Sequence, residues 1–308
     1  MKKGFLTATL LIISITLSQK VHAQYYFFDD TYYDQPILYE AGISVNAMNC
    51  LTDLGGKKGI GQRLFKDLNL GYTHLSGGIF FCASYKNQVA LRLEGTFGKV
   101  SSEDVVLKGI TDIAKERFNR NLNFQSNISE VALLVEVHPL LIFIDWPAKD
   151  RALPRYSPYL LGGVGYFSFN PQTTLGGRIV DLQPYSTEGQ GFAEYPDRKV
   201  YSLTQLNIPL GGGVKYEVGP LVNLRAEFVY RKTFTDYLDD LSTTYIDPAL
   251  FDKYFSPQKA QDARALSDKQ IVSRGGAGTK RGTATENDGY FTFNIKIGVI
   301  IGRERMKR

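Results

Sequence analysis

The chain has 308 residues, of which 36 are Lys or Arg and 31 are Asp or Glu, with 30 Gly, 19 Tyr, 19 Phe and 3 Met. Setting aside the first 23 residues, which carry three lysines and no acid, leaves 33 basic against 31 acidic side chains, so charge gives no reason to expect a nucleic-acid partner. Nor is there an apolar run of about 20 residues for a membrane helix; the nearest, 131–144, is broken by Glu136, His138 and Pro139.

Residues 1–23, MKKGFLTATLLIISITLSQKVHA, read as a secretory signal peptide: Lys2 and Lys3, an apolar centre from Phe5 to Leu17, and a small-residue cleavage site ending at Ala23. Residues 24–38 then form a short periplasmic segment. From Tyr39 the pattern alternates. Tyr39, Ala41, Ile43, Val45 and Ala47 take one face; Glu40, Gly42, Ser44 and Asn46 take the other. The same period of two recurs over 89–99, 128–138, 222–234 and 291–301. Segments 70–83, 159–169 and 201–217 are weaker and Gly-rich, which fits tight curvature, and Pro209 predicts a local bulge in the last of these.

Eight such segments make an antiparallel, up-and-down transmembrane β-barrel over 39–303, with a basic tail at 304–308. Connections alternate in length: 49–68, 100–123, 171–199 and 235–288 are long, whereas 85–88 and 218–220 are short. With both ends in the periplasm, the long connections fall outside the cell, as in outer-membrane barrels, whose partner surface is lipid. The exception is the inner turn 140–156. Tyr72, Phe97, Phe124, Tyr159, Phe167, Tyr201, Tyr216, Phe234 and Tyr290 lie near strand ends, where headgroup-facing rings are favoured.

Parity aims Glu40, Arg92, Glu94, Glu130, Glu136, Lys215, Arg225, Glu227, Arg231 and Lys296 into the lumen. An eight-stranded barrel is filled by its own side chains, so a paired network rather than a pore is expected. Glu227 and Lys296 are expected to pair across the hairpin of the last two segments. Cys50 and Cys82 fall at opposite ends of the barrel, too far apart for a disulfide. The two remaining histidines, His74 and His138, are inward-facing and distant from one another, so no catalytic residue, metal or cofactor is assigned. The strings 275–282 and 55–63 lack phosphate-loop or dinucleotide spacing and read as surface loop. In RKTFTDYLDDLSTTYID (231–247), the spacing is unlike a calcium loop, and Asp and Ser read as turn-forming residues at the outer rim.

Several stretches together carry a resemblance: NCLTDLGG (49–56), SPYLLGGVGYFSFN (157–170), QLNIPLGGGVKY (205–216) and TFTDYLDDLSTTYID (233–247). They resemble a Bacteroidota family of small outer-membrane barrels of unknown function that includes PorG, a type IX secretion component. Its most specific part maps to Thr235, Asp236, Tyr237, Leu238, Asp239, Asp240, Ser242 and Tyr245. The resemblance implies an eight-stranded barrel and, for a PorG-like role, contact with periplasmic lipoproteins. Phe143, Trp146, Lys149, Arg151 and Arg155 of the long inner turn are expected either to offer a docking patch, since Trp and Arg are enriched at binding hot spots, or, through Phe143 and Trp146, to anchor the inner membrane interface. The resulting expectation is a non-enzymatic docking barrel of secretion or gliding machinery. The competing ones are a surface-binding barrel using 235–288 and a small lipid-modifying enzyme.

Overall fold

The computed structural model describes residues 32–33, 36–54, 70–108, 113–144, 154–272 and 276–305. Eight barrel strands follow in chain order: β1 Ile37–Leu51, β2 His74–Tyr85, β3 Val89–Glu103, β4 Asn123–Val137, β5 Tyr156–Ser168, β6 Thr204–Gly219, β7 Val222–Thr233 and β8 Gly289–Ile301. Each pairs antiparallel with the next, and β8 returns to β1 through thirteen registered pairs from Gly289–Leu51 to Ile301–Tyr39. The sheet is therefore closed and has no edge in the wall.

Alternation explains why these segments are strands. In β4, Val131, Leu133, Val135 and Val137 point outward and are exposed, whereas Glu130, Ala132, Leu134 and Glu136 are buried. In β8, Phe293, Ile295, Ile297, Val299 and Ile301 are exposed opposite buried Thr292, Asn294 and Lys296. An apolar band encircling a barrel is unstable in water and matches a bilayer core. The chain is thus an eight-stranded barrel of the outer-membrane type.

Several sequence-based bounds shift. Strands β1, β3 and β4 run well past their expected outer ends, because ladder pairing continues above the apolar band to Leu51, Glu103 and Asn123. Leu70–Tyr72 forms a 3-10 turn rather than the start of β2, and Tyr201 precedes β6. The bulge expected at Pro209 is absent. Register between β6 and β7 runs unbroken past Pro209–Arg231, and the shift sits at Val222/Asn223 beside the inner turn. Proline lacks the N–H of a ladder, and what it removes is pairing to β5 between Gly162–Leu210 and Gly165–Asn207. Nearby, Gly163 and Gly211 are required by close approach. A Cβ there would lie 2.0 Å from the Leu133 carbonyl oxygen and 2.1 Å from that of Phe228.

At the inner end, Tyr32–Tyr33 pairs with Glu304–Arg305, and helix Pro139–Phe143 begins the long turn after β4. The signal-peptide reading, the GGKKGIGQR string, and Trp146, Lys149 and Arg151 lie outside the described residues.

Candidate functional site: a filled lumen under a folded cap

All ten charged side chains aimed inward by parity are buried. Seven of them form one network. Arg92 meets Glu136 at 2.7 Å, Glu227 at 3.0 Å and Glu94 at 3.0 Å. Lys296 Nζ bridges Glu94 and Glu227, the latter at 2.8 Å. Arg225 joins Glu136 at 2.8 Å to Glu40 at 2.6 Å. Nearer the outer end, Arg231 binds Glu130 at 2.9 Å, and Lys215 lies within electrostatic reach of Glu40. Five carboxylates face five cations, so each buried charge can be offset from within the lumen.

Neutral groups that charge parity alone does not single out complete the network. Tyr159 donates to Glu227 at 2.6 Å and Asn294 to the same carboxylate at 2.9 Å. Asn223 donates to Glu40, and Asn207 donates both to Glu130 and to the Tyr290 hydroxyl. This corrects the interfacial-ring expectation for Phe124, Tyr159, Phe167, Tyr201 and Tyr290, which are all buried. Phe97, Tyr216 and Phe234 do project outward. Position near a strand end says nothing of facing; parity with Ser157 or Thr292 would have turned Tyr159 and Tyr290 inward.

Above the lumen, the outer connections fold into a cap. Residues 171–181 form a hairpin, Pro171–Leu175 with Arg178–Asp181, that extends from β4. The 235–288 connection carries two helices, Leu250–Tyr254 and Pro257–Ser267, the second with proline in its first turn, where the missing N–H costs no helical bond. Phe192, Ile246, Phe251, Ala260 and Ala263 give the cap its own apolar cluster, with Phe192 stacked on Tyr254 at 4.0 Å. Leu238 and Leu241 point down instead, onto Met48, Phe124, Phe167 and Tyr290 at the barrel mouth.

Arg281 fastens the cap. It pairs with Glu188 at 2.9 Å and donates to the backbone oxygens of Asp240 and Ser267. Glu188 in turn accepts from the Ser242 and Thr243 amides. Arg120, ending helix Ile113–Arg120, holds Asp104 and donates to the carbonyls of Asp53 and Arg281. Charged groups from three connections therefore lock together.

The TDYLDD stretch lies inside this assembly, which corrects its expected place at an open rim. Asp236, Asp239, Asp240 and Ser242 are buried, as are Thr235, Leu238 and Tyr245, with Tyr237 partly so. Their turn-forming role holds. The Thr235 hydroxyl accepts from the Tyr237 amide, Asp239 accepts from the amides of Leu241 and Leu54, and Asp240 adopts φ +66° while accepting from Tyr201 at 2.7 Å. Burial lifts the Asp240 carboxyl to about 6 against the pull of Arg281. Among the described residues, no three His, Cys, Asp or Glu side chains are placed to share a metal ion.

His138 is buried, with Nδ1 2.7 Å from Ser157 Oγ and Nε2 3.6 Å from Glu136. Half-buried His74 lies 2.6 Å from Ser101 Oγ. Phe143 is 83% exposed at the inner end, and Arg155 is half-buried where the same turn returns to the barrel.

Both cysteines are buried free thiols. Cys82 is in register with Glu40, so it lies about 33 Å down β1 from Cys50, whereas a disulfide needs Cα atoms within about 7 Å. Alkylation after unfolding without reductant should add two adducts by intact mass; a result of none would overturn this register.

No protein-family model and no curated protein matches the sequence. Among solved structures, the chain is similar to Neisserial surface protein A, at 11% identity and a TM-score of 0.37, covering 86% of this chain and 97% of that one. It is similar also to the attachment invasion locus protein Ail of Yersinia pestis, at 9% and 0.35, covering 86% and 97%. A third is a major outer membrane protein of Thermus thermophilus, at 13% and 0.37, covering 85% and 99%.

Proposed function

We propose that this chain is a non-enzymatic outer-membrane barrel that serves as a structural docking component rather than as a channel. The observation that carries this reading is the lumen filled by five carboxylates and five cations. A barrel so filled acts through its loops and turns.

The inner turn is the docking surface in this reading. It opens on the exposed Phe143 and contains Trp146, Lys149, Arg151 and Arg155, residue types that anchor protein interfaces. The PorG resemblance supports a periplasmic lipoprotein of secretion or gliding machinery as the partner. The test replaces residues 142–152 with a short Gly-Asn turn. The barrel is expected to insert normally while crosslinks to periplasmic lipoproteins disappear. Retention of every crosslink and of secretion would exclude the turn as the interface.

A second reading rests on the cap. Its own apolar cluster gives the outer face a fixed shape, which suits recognition of a surface partner. Here, removing residues 248–268 is expected to abolish surface binding and leave the periplasmic crosslinks intact.

A further inference from the structure

Four aspartates meet where the cap joins the barrel. Asp53 leaves β1, Asp236 and Asp239 follow β7, and Asp288 precedes β8. Their like charges act on one another: Asp53, Asp236 and Asp239 all bear on Asp288. Backbone amides satisfy part of the group. Thr283 donates to Asp53, Leu241 and Leu54 to Asp239, and Leu238 to Asp288 at 2.9 Å.

Asp236 is the exception. Its exposure is 8%, and among the described residues neither carboxylate oxygen accepts a well-formed hydrogen bond, the Ser242 hydroxyl offering at most a marginal one. Among the described residues, the cations that face the cluster offset it only in part: Arg120 acts favourably on Asp239. Arg120 is held by Asp104 and Arg281 by Glu188, while Glu188 itself adds negative potential at Asp236. From the barrel, the Cys50 thiol and the Tyr230 phenol face Asp288, and neither brings a positive charge. Three buried carboxylates without a salt-bridge partner among the described residues resist being ionised together in such a seat.

We propose that the cap is a proton-dependent latch: it is closed while the Asp236–Asp239–Asp288 cluster is protonated, and deprotonation loosens the stems of the 234–288 connection from the barrel mouth. Burial, reinforced by neighbouring carboxylates, supports this by raising Asp236 to about 9 and Asp239 to about 8, and Asp288 also stands well above its ordinary range. In an opened cap these carboxyls return towards about 3.9. The closed state thus binds more protons, so closure is strongest near the open-state value. It weakens as pH rises from about 4 towards 9, by up to about tenfold in the open population per pH unit for each proton released.

The experiment is hydrogen exchange on the full chain in lipid nanodiscs with EDTA, from pH 5 to 8.5, corrected for intrinsic exchange. Protection of the amides at Leu238, Leu241 and Ser242 is expected to fall at least tenfold between pH 5.5 and 7.5, while those of β4 and β8 hold. Asp236→Asn and Asp239→Asn, which mimic the neutral acids, should each flatten that slope. Wild-type protection that stays level with pH overturns the latch, as does an unchanged slope in both variants. Because the wild-type series stands alone, poor folding of a variant leaves the proposal open to refutation.

Discussion

Glu227→Gln is expected to lower the stability of the folded barrel by about 3–5 kcal/mol, the usual consequence of stranding a buried charge. The carboxylate is buried and bonded to Arg92, Lys296, Tyr159 and Asn294. Its loss leaves five lumenal cations against four acids, an imbalance that a packed interior cannot screen. Lys296→Met is expected to cost a similar amount, since Glu94 and Glu227 both lose a partner. The double variant restores the balance at four and four and should be milder than the sum of the two. Urea unfolding of the protein in lipid vesicles, read by the heat-dependent shift in gel mobility, measures all three. Strictly additive effects would rule out the coupling.

Arg281→Met should release the cap without unfolding the barrel. Arg281 is 2% exposed and links Glu188 of the β5–β6 connection to the backbone of the β7–β8 connection. Removing it leaves Glu188 a buried anion without its cation, a local loss of about 3–5 kcal/mol. Because the wall is closed by ladder bonds that this residue does not touch, the cost falls on the cap. Protease cleavage within 234–288 is expected to accelerate sharply while heat-modifiability persists. Adding Glu188→Gln should restore part of the protection. An Arg281→Met protein as resistant as the wild type would contradict this role.

How far the sequence carried depended on periodicity. Lipid outside and a packed lumen inside impose a period of two, so facing could be read for Glu40, Arg92, Glu227 and Lys296 before any contact was known. The Glu227–Lys296 pair was legible for that reason, at 2.8 Å in the structure. Beyond the wall no period exists. Asp236 and Asp239 look like rim residues because a polar run usually marks solvent, and only the fold of two distant connections over them makes them buried. Arg281 and Glu188 are separated by 93 positions, and neither sits in a repeating pattern. Aromatics misled for a related cause: β-propensity, lipid anchoring and lumen packing all favour Tyr and Phe, so residue type could not separate Tyr159 from Tyr216.

In the proposed reading the lumen, packed with buried charged side chains, is a solid core beneath the cap. Single-channel recording of the purified barrel in planar bilayers tests it most directly, with and without protease trimming of the cap. The expected result is an absence of stepwise conductance in both preparations, because the Arg92–Glu136–Arg225 network still occupies the bore when the cap is gone. Stable, ohmic openings from the properly folded barrel would contradict the account.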